Sequence, residues 1–258
     1  MNGSVEVTFL GTGTSQGVPV IACPCRVCHS EEPKDKRLRS SVCIKTGGKT
    51  FVIDSGPDFR QQMLAAGIQH LDAILFTHNH KDHTAGMDDI RAFNYVQRAP
   101  MDIYAEAYVL ESLRQEFSYI FAKHPYPGVP SVQLHTITEE PFMAADIQVV
   151  PIRAMHYKLP ILGFRFGRFA YITDANYIED RELEKLSGVT HLVVNALRKE
   201  PHLSHFCLDE AIALIRKCRI PNAYITHIGH QMGFHNEVDA ELPEGIRLAF
   251  DGLQIMIP

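Results

Sequence analysis

The chain has 258 residues, 45% of them hydrophobic and 21% charged, enough to bury one large core or two modest ones and unlike a disordered segment. Its 25 Lys and Arg against 30 Asp and Glu leave a formal charge of −5, which excludes a global attraction to nucleic acid. No run reaches the roughly 18 apolar residues of a membrane span. Met1-Asn2-Gly3-Ser4 leads straight into a strand-like segment with no basic or long apolar leader, so a cytoplasmic protein with no membrane partner is expected.

In chain order, residues 5–10 read as a strand, followed by Gly11-Thr12-Gly13-Thr14-Ser15-Gln16-Gly17-Val18-Pro19. Those glycines permit close backbone approach, but no Lys-Ser/Thr pair or following helix makes a phosphate loop, so a turn near the site is expected. Cys23-Pro24-Cys25-Arg26-Val27-Cys28 is too tight to bridge well and suits metal thiolates. Cys43, Cys207 and Cys218 lie in apolar surroundings and read as buried free thiols. A charged loop over 31–39 precedes a hairpin of 42–45 and 50–54 joined through Gly47-Gly48. Residues 57–66 read as a helix stopped by Gly67.

An apolar strand then ends at Leu75-Phe76-Thr77, and a helix is expected over 84–97 with Met87, Ile90, Phe93 and Asn94 near one face. A strand at 101–104 and a helix at 107–117 lead to a Pro- and His-rich loop around His124-Pro125-Tyr126-Pro127-Gly128. The second half opens with strands at 132–137, 147–152, 163–166, 169–173 and 191–195. Leu208, Ala211, Ile212, Ile215 and Cys218 recur at helical spacing, a strand follows at 222–226, and 247–250 with 253–257 reads as a terminal hairpin turning at Asp251-Gly252. One domain over 1–258 is expected, built from two similar halves with helices outside two packed sheets.

Fourteen histidines carry more information than the net charge. His78-Asn79-His80-Lys81-Asp82-His83 sets four ligand-type side chains within six positions at the end of a strand. In extended backbone, i and i+2 point the same way, so His78 and His80 can meet one cation as neutral imidazoles, while Asp82 and His83 fall where the chain turns and can take a second. Asp54, His156, Asp174 and His227 each lie just past a predicted strand. Loops at strand ends converge on one edge of a layered fold, so these distant residues can line one cleft.

The set Thr77-His78-Asn79-His80-Lys81-Asp82-His83, His156, Thr173-Asp174 and Thr226-His227 resembles the metallo-β-lactamase superfamily. That resemblance implies an α+β fold, a four-layer αββα sandwich of two mixed sheets. It further implies two divalent ions, Zn or Mn: His78, His80 and His156 on one, Asp82, His83 and His227 on the other, Asp174 bridging them. A hydroxide shared by the ions would be the nucleophile, at a pKa brought toward neutrality, and Asp82 counts with the catalytic set. Asp54 would orient a ligand imidazole through its other nitrogen.

Three features narrow the choice. His227 with Asp82, and no cysteine at the second position, argues against the main β-lactamase types. Ser204-His205 stands ahead of a helix, where an imidazolium that protonates a departing alkoxide is worth roughly 10²- to 10⁴-fold; His202 competes for that role. Cys23, Cys25, Cys28 and His230 make a Cys₃His set suited to one closed structural zinc, three residues after His227.

Together these resemble the PhnP-type phosphodiesterases, which hydrolyse phosphoribosyl cyclic phosphate, and the likeness runs from Phe9-Leu10-Gly11-Thr12-Gly13 to Phe250-Asp251-Gly252. The histidine matching His205 is the general acid proposed there. The resemblance implies a dinuclear phosphodiesterase acting on a small cyclic phosphate ester, phosphoribosyl 1,2-cyclic phosphate or a relative, in a homodimer. Two alternatives share the metal ligands. A tRNA 3′-processing endonuclease would carry a flexible arm that 124–130 is too short to supply, and a thioesterase of the glyoxalase II kind would need neither His205 nor the cysteines.

Overall fold

A computed structural model describes residues 4–258, so the N-terminal reading at Met1, Asn2 and Gly3 lies outside the described residues. Six strands of the first half, β1 (Val5–Gly11), β2 (Ser41–Thr46), β3 (Lys49–Ile53), β4 (Ala73–Leu75), β5 (Met101–Ala105) and β6 (Val132–Thr136), lie side by side in one sheet. The second sheet takes β7 (Phe142–Ala144), β8 (Ile147–His156), β9 (Leu159–Phe166), β10 (Phe169–Ile172), β11 (His191–Asn195), β12 (Asn222–Thr226) and β13 (Ile246–Leu248). The last strand, β14 (Gln254–Ile257), returns to the first sheet beside β1.

Each sheet has three antiparallel pairings followed by three parallel ones, changing at β3–β4 and at β10–β11. The two halves therefore repeat one plan, and both sheets are mixed.

Strand alternation sorts the side chains. In β3, Phe51 and Ile53 face the other sheet, where they join Phe9, Phe164, Phe166 and Tyr171, while Val52 faces the helices. The helices α1 (Phe59–Ala65), α3 (Arg91–Gln97) and α4 (Ala107–Glu116) cover the outside of the first sheet with Phe59, Met63, Phe93, Leu110 and Leu113. The second sheet is covered by α5 (Asp180–Leu183), α6 (Leu208–Lys217) and α7 (His235–Glu241), through Ala211, Ile215 and Val238 among others. The layers are α, β, β and α, as expected. No helix among the described residues is long and apolar enough to cross a membrane.

Two expected elements do not form as read, and the expected burial of Cys218 fails. The helix over 84–97 is broken into the short α2 (Lys81–Thr84), a 3₁₀ turn at Met87–Ile90 and α3. Gly86 is the cause. Its N–H donates to Ser55 O at 2.8 Å, and a Cβ there would stand 2.1 Å from Gly56 O, so the backbone is tied to the loop after β3 and cannot continue the helical ladder. The terminal hairpin does not form either: β13 pairs parallel with β12, and β14 antiparallel with β1. Between them Asp251 accepts from Thr12 Oγ1 at 2.7 Å and from the Leu38 N–H at 2.6 Å, which draws the chain from one sheet to the other. The strand β7 and the helices α5 and α7 carry too little periodic signal to have been read. Cys43 and Cys207 are buried thiols, whereas Cys218 is partly exposed.

Candidate metal centre

Most of the ligand-type residues stand where strands of the parallel portions end, whereas His156, expected just past a strand, is the last residue of the antiparallel β8. Asp54 follows β3, Asp174 lies two residues past β10, and His227 follows β12, all three with left-handed φ of 64°, 61° and 55°. Asp and His are among the few residues enriched in that region, and backbone strain of this kind collects at functional sites. After β4 the chain bends at Thr77 and runs without regular structure to His80, whose extended backbone caps α2, so Asp82 and His83 fall in its first turn.

The result is two adjoining groups. His78, His80 and His156 bring one nitrogen each within 4.8 Å of the others, and Asp82, His83, Asp174 and His227 do the same. The His78 ring lies 4.6 Å from that of His80 and 4.3 Å from that of His83, so the groups abut.

Neighbouring acceptors decide which ring nitrogen faces inward. The buried Asp54 carboxylate accepts from the Thr77 N–H and the Thr77 hydroxyl, each at 2.8 Å, and from His83 Nδ1 at 2.7 Å. His83 Nε2 then points at Asp82 Oδ2 and Asp174 Oδ2, 3.1 and 3.2 Å away. Because the Thr77 proton goes to Asp54, the hydroxyl accepts from His78 Nδ1 at 2.9 Å. His156 Nδ1 donates to the Ser204 carbonyl at 2.8 Å, since a carbonyl only accepts. All three imidazoles are bonded at Nδ1 and turn Nε2 to the cleft as the atom a cation would take, an orientation assigned from this network.

Charge and desolvation agree with a cation site. His78 Nε2 and His83 Nε2 are buried without a hydrogen-bond partner, an arrangement that costs about 1–3 kcal/mol per group when nothing else satisfies it, and His227 Nε2 lies 3.1 Å from Asp174 Oδ1. Burial holds the His78 imidazole well below its usual range and takes that of His227 down to about 4, so both are neutral. Burial acts the same way on His83, but Asp82, Asp174 and Asp54 outweigh it and push that imidazole well above its usual range. The buried carboxylates of Asp54 and Asp174 and the partly buried one of Asp82 thus draw positive charge onto one point, and a divalent cation supplies it. The residues fit two such ions.

His205 is not apart from this set. Its Nε2 lies 3.1 Å from Asp174 Oδ1, and its ring stacks on His227 with centroids 4.9 Å apart. His202 meets the opposite nitrogen, Nδ1, at 3.2 Å, which leaves His205 as the histidine nearer the centre. Among basic residues that could meet a phosphate, Arg91 pairs with Asp88, Lys199 with Glu241, and Arg198 bonds Pro201 O and Gln231. Arg60 lines an apolar groove with Phe93 and Val96.

A second cluster stands beside the first. Ile228 passes between Thr12 and Thr14, and the chain then presents His230 in a 3₁₀ turn, with Nδ1 at 3.2, 3.3 and 3.4 Å from the sulfurs of Cys23, Cys25 and Cys28. The Cys28 N–H draws the Cys25 thiol down to about 6, while burial pushes that of Cys28 up to about 11. Three sulfurs around one imidazole nitrogen suit tetrahedral zinc.

Three positioning groups were not legible in the sequence: the Ser204 carbonyl, Asn176, which accepts from the Tyr157 N–H and donates to Leu203 O, and Asn195. The only trace of Asn195 is a polar residue closing an apolar strand.

The beta-lactamase superfamily domain matches residues 49–228 of the chain. A solved structure of a new diphosphatase from the PhnP family is 39% identical, superposes with a TM-score of 0.92, and is matched over 98% of this chain and 97% of that one. The octanoyltransferase of Porphyromonas gingivalis is 43% identical over 252 residues, which are 96% of this chain and 51% of that protein, so the chain spans about half its length. Ribonuclease Z of Mycobacterium sp. (strain KMS) is 27% identical over 215 residues, 76% of this chain and 70% of that one. The chain belongs to the PhnP family of the beta-lactamase superfamily.

Proposed function

We propose that the chain is a cytoplasmic, homodimeric phosphodiesterase dependent on two divalent ions, zinc or manganese, that hydrolyses a small cyclic phosphate ester such as phosphoribosyl 1,2-cyclic phosphate. The observation that carries this reading is the meeting of both ligand groups and His205 on the one carboxylate of Asp174. His78, His80 and His156 would hold one ion, Asp82, His83 and His227 the other, and Asp174 both; Cys23, Cys25, Cys28 and His230 would hold a structural zinc. The ions, when bound, bring the pKa of water toward neutrality and offset charge on phosphate oxygens.

The protein's own groups do the rest. Asp54, Thr77 and the Ser204 carbonyl fix three imidazoles in the ligating tautomer. Asp174 holds His205 Nε2 at 3.1 Å, at hand to protonate a departing alkoxide. The diphosphatase relative supports chemistry at phosphorus, and the charge of −5 supports a small ester over a polynucleotide. A thioester is the second reading, favoured by the half-length match to an octanoyltransferase.

The test is hydrolysis of a five-membered cyclic ribose phosphate and of an aryl phosphodiester by manganese-loaded wild type and His205→Ala. We expect the variant to lose about 10²-fold or more on the cyclic ester and little on the aryl ester, whose leaving group needs no proton. Failure of the metal-loaded wild type to cleave either ester overturns the phosphodiester reading and makes octanoyl thioesters the next substrates.

A further inference from the structure

We propose that Asn195, the last residue of β11, is a positioning residue that sets the contact between Asp174 and His205; this rests on the general-acid reading of His205. Asn195 is fully buried, and its amide spans both polar groups of a single residue: Oδ1 accepts from the Ala175 N–H at 2.7 Å, and Nδ2 donates to the Ala175 carbonyl at 2.9 Å. That carbonyl has a second donor, the Phe206 N–H at 2.7 Å. Ala175 follows Asp174, and Phe206 follows His205. One backbone carbonyl therefore joins the two segments whose side chains meet at 3.1 Å, and Asn195 clamps it from below.

The clamp acts where regular pairing has lapsed, with the isolated bridge of Met155 to Asn176 and Tyr177 holding the first segment only beyond Ala175. β10 has ended at Ile172, Asp174 is left-handed at φ 61°, and 197–206 is a loop closed by the Leu197 N–H on Phe206 O at 3.0 Å. β11 runs parallel to β10 with Val194 opposite Ile172, so the next residue stands level with the bend and its side chain can reach it. An aliphatic residue there would leave the Ala175 N–H buried and unpaired. Asn offers one acceptor and one donor, and the N–H and the carbonyl of Ala175 use both.

The experiment compares Asn195→Ala and the isosteric Asn195→Asp, which keeps the acceptor and loses the donor to Ala175 O. Each is made in wild type and in His205→Ala, and assayed on the cyclic and aryl phosphodiesters. Small misplacements of a catalytic group cost on the order of 10²-fold. We expect kcat on the cyclic ester to fall about 10- to 100-fold with KM little changed, the aryl rate to stay within about 3-fold, and no further loss in the His205→Ala background. In metal-free protein, long-range ¹H–¹⁵N spectra should show the His205 ring nitrogens shifted and those of His230 unmoved.

Equal losses on both esters, or full additivity with His205→Ala, overturn the proposal. Where Asn195→Ala lowers the melting point too far for assay, Asn195→Asp makes the same comparison. If His205→Ala itself treats both esters alike, the general-acid reading falls and the role of Asn195 falls with it. If His205→Ala discriminates between the esters and the Asn195 variants do not, only the role of Asn195 falls.

Discussion

Replacing Asp54 by Asn isolates the contribution of the residue behind His83. The backbone there has φ 64°, a conformation Asn adopts readily, so strain does not confound the result. Asp54 is an acceptor at both oxygens, serving the Thr77 N–H, the Thr77 hydroxyl and His83 Nδ1. An amide in its place must aim N–H at one of these donors. If it faces His83, the ring loses its Nδ1–H partner, and the favoured tautomer now carries the proton on Nε2, the atom a metal needs.

Loss of a carboxylate behind a ligating histidine costs about 10- to 100-fold in metal affinity, or roughly 1.4–2.8 kcal/mol. Stability of the metal-free protein changes less. The charge-assisted bond is worth about 1.5–3 kcal/mol, but burial already pushes the Asp54 carboxyl up, so the variant is relieved of a desolvated charge. The assay is calorimetric titration with manganese, together with counting of bound metal after dialysis. The affinity of the ion at Asp82, His83 and His227 should fall, and the zinc at the cysteines should stay. Unchanged affinity with a lowered melting temperature would show that Asp54 serves the fold alone and refute the reasoning.

Cys25→Ser should lower bound zinc by one equivalent per chain and lower the melting temperature, as metal binding contributes directly to folding; an unchanged zinc count by plasma mass spectrometry would sink the Cys₃His assignment. His235 gives a pH dependence. Burial, then the Arg37 guanidinium, takes its imidazole from 6.5 down to about 4, so it is neutral when folded and protonated on unfolding below about 6.5. Its stability contribution is complete above 6.5 and is lost as pH falls toward 4, about 3 kcal/mol over that window. Asp251, pushed up to about 6 by burial, acts in the opposite sense over the same range, so the measure is the difference between wild type and His235→Asn in urea unfolding at pH 4 to 7. A difference that does not change with pH refutes it.

What lies within a few residues was legible. Alternation over 42–45 and 50–54 marks a hairpin because the two strands pair with each other across Gly47 and Gly48. The four ligand types of 78–83 and the three cysteines of 23–28 are recognisable for the same reason: chain geometry alone brings them close. The strands of the parallel portions were legible as short apolar runs with a polar residue after several of them, whereas their pairing was not.

What lies between distant residues was decided by tertiary contacts. The segments 247–250 and 253–257 have the pattern of a hairpin, yet Thr12 and Leu38, more than 200 residues away, hold Asp251 and send the two strands to different sheets. The helix expected over 84–97 breaks because Gly86 packs on Gly56, and no local pattern records that approach. His205 meets Asp174 where the following residues, Phe206 and Ala175, are joined at a carbonyl that also accepts from Asn195, and His156 is oriented by the carbonyl of Ser204. Side-chain period and residue type encode which face of an element is apolar and which atoms can bind a cation. A hydrogen bond from one loop to the backbone of another has no period and no required residue type, so only the folded chain determines it.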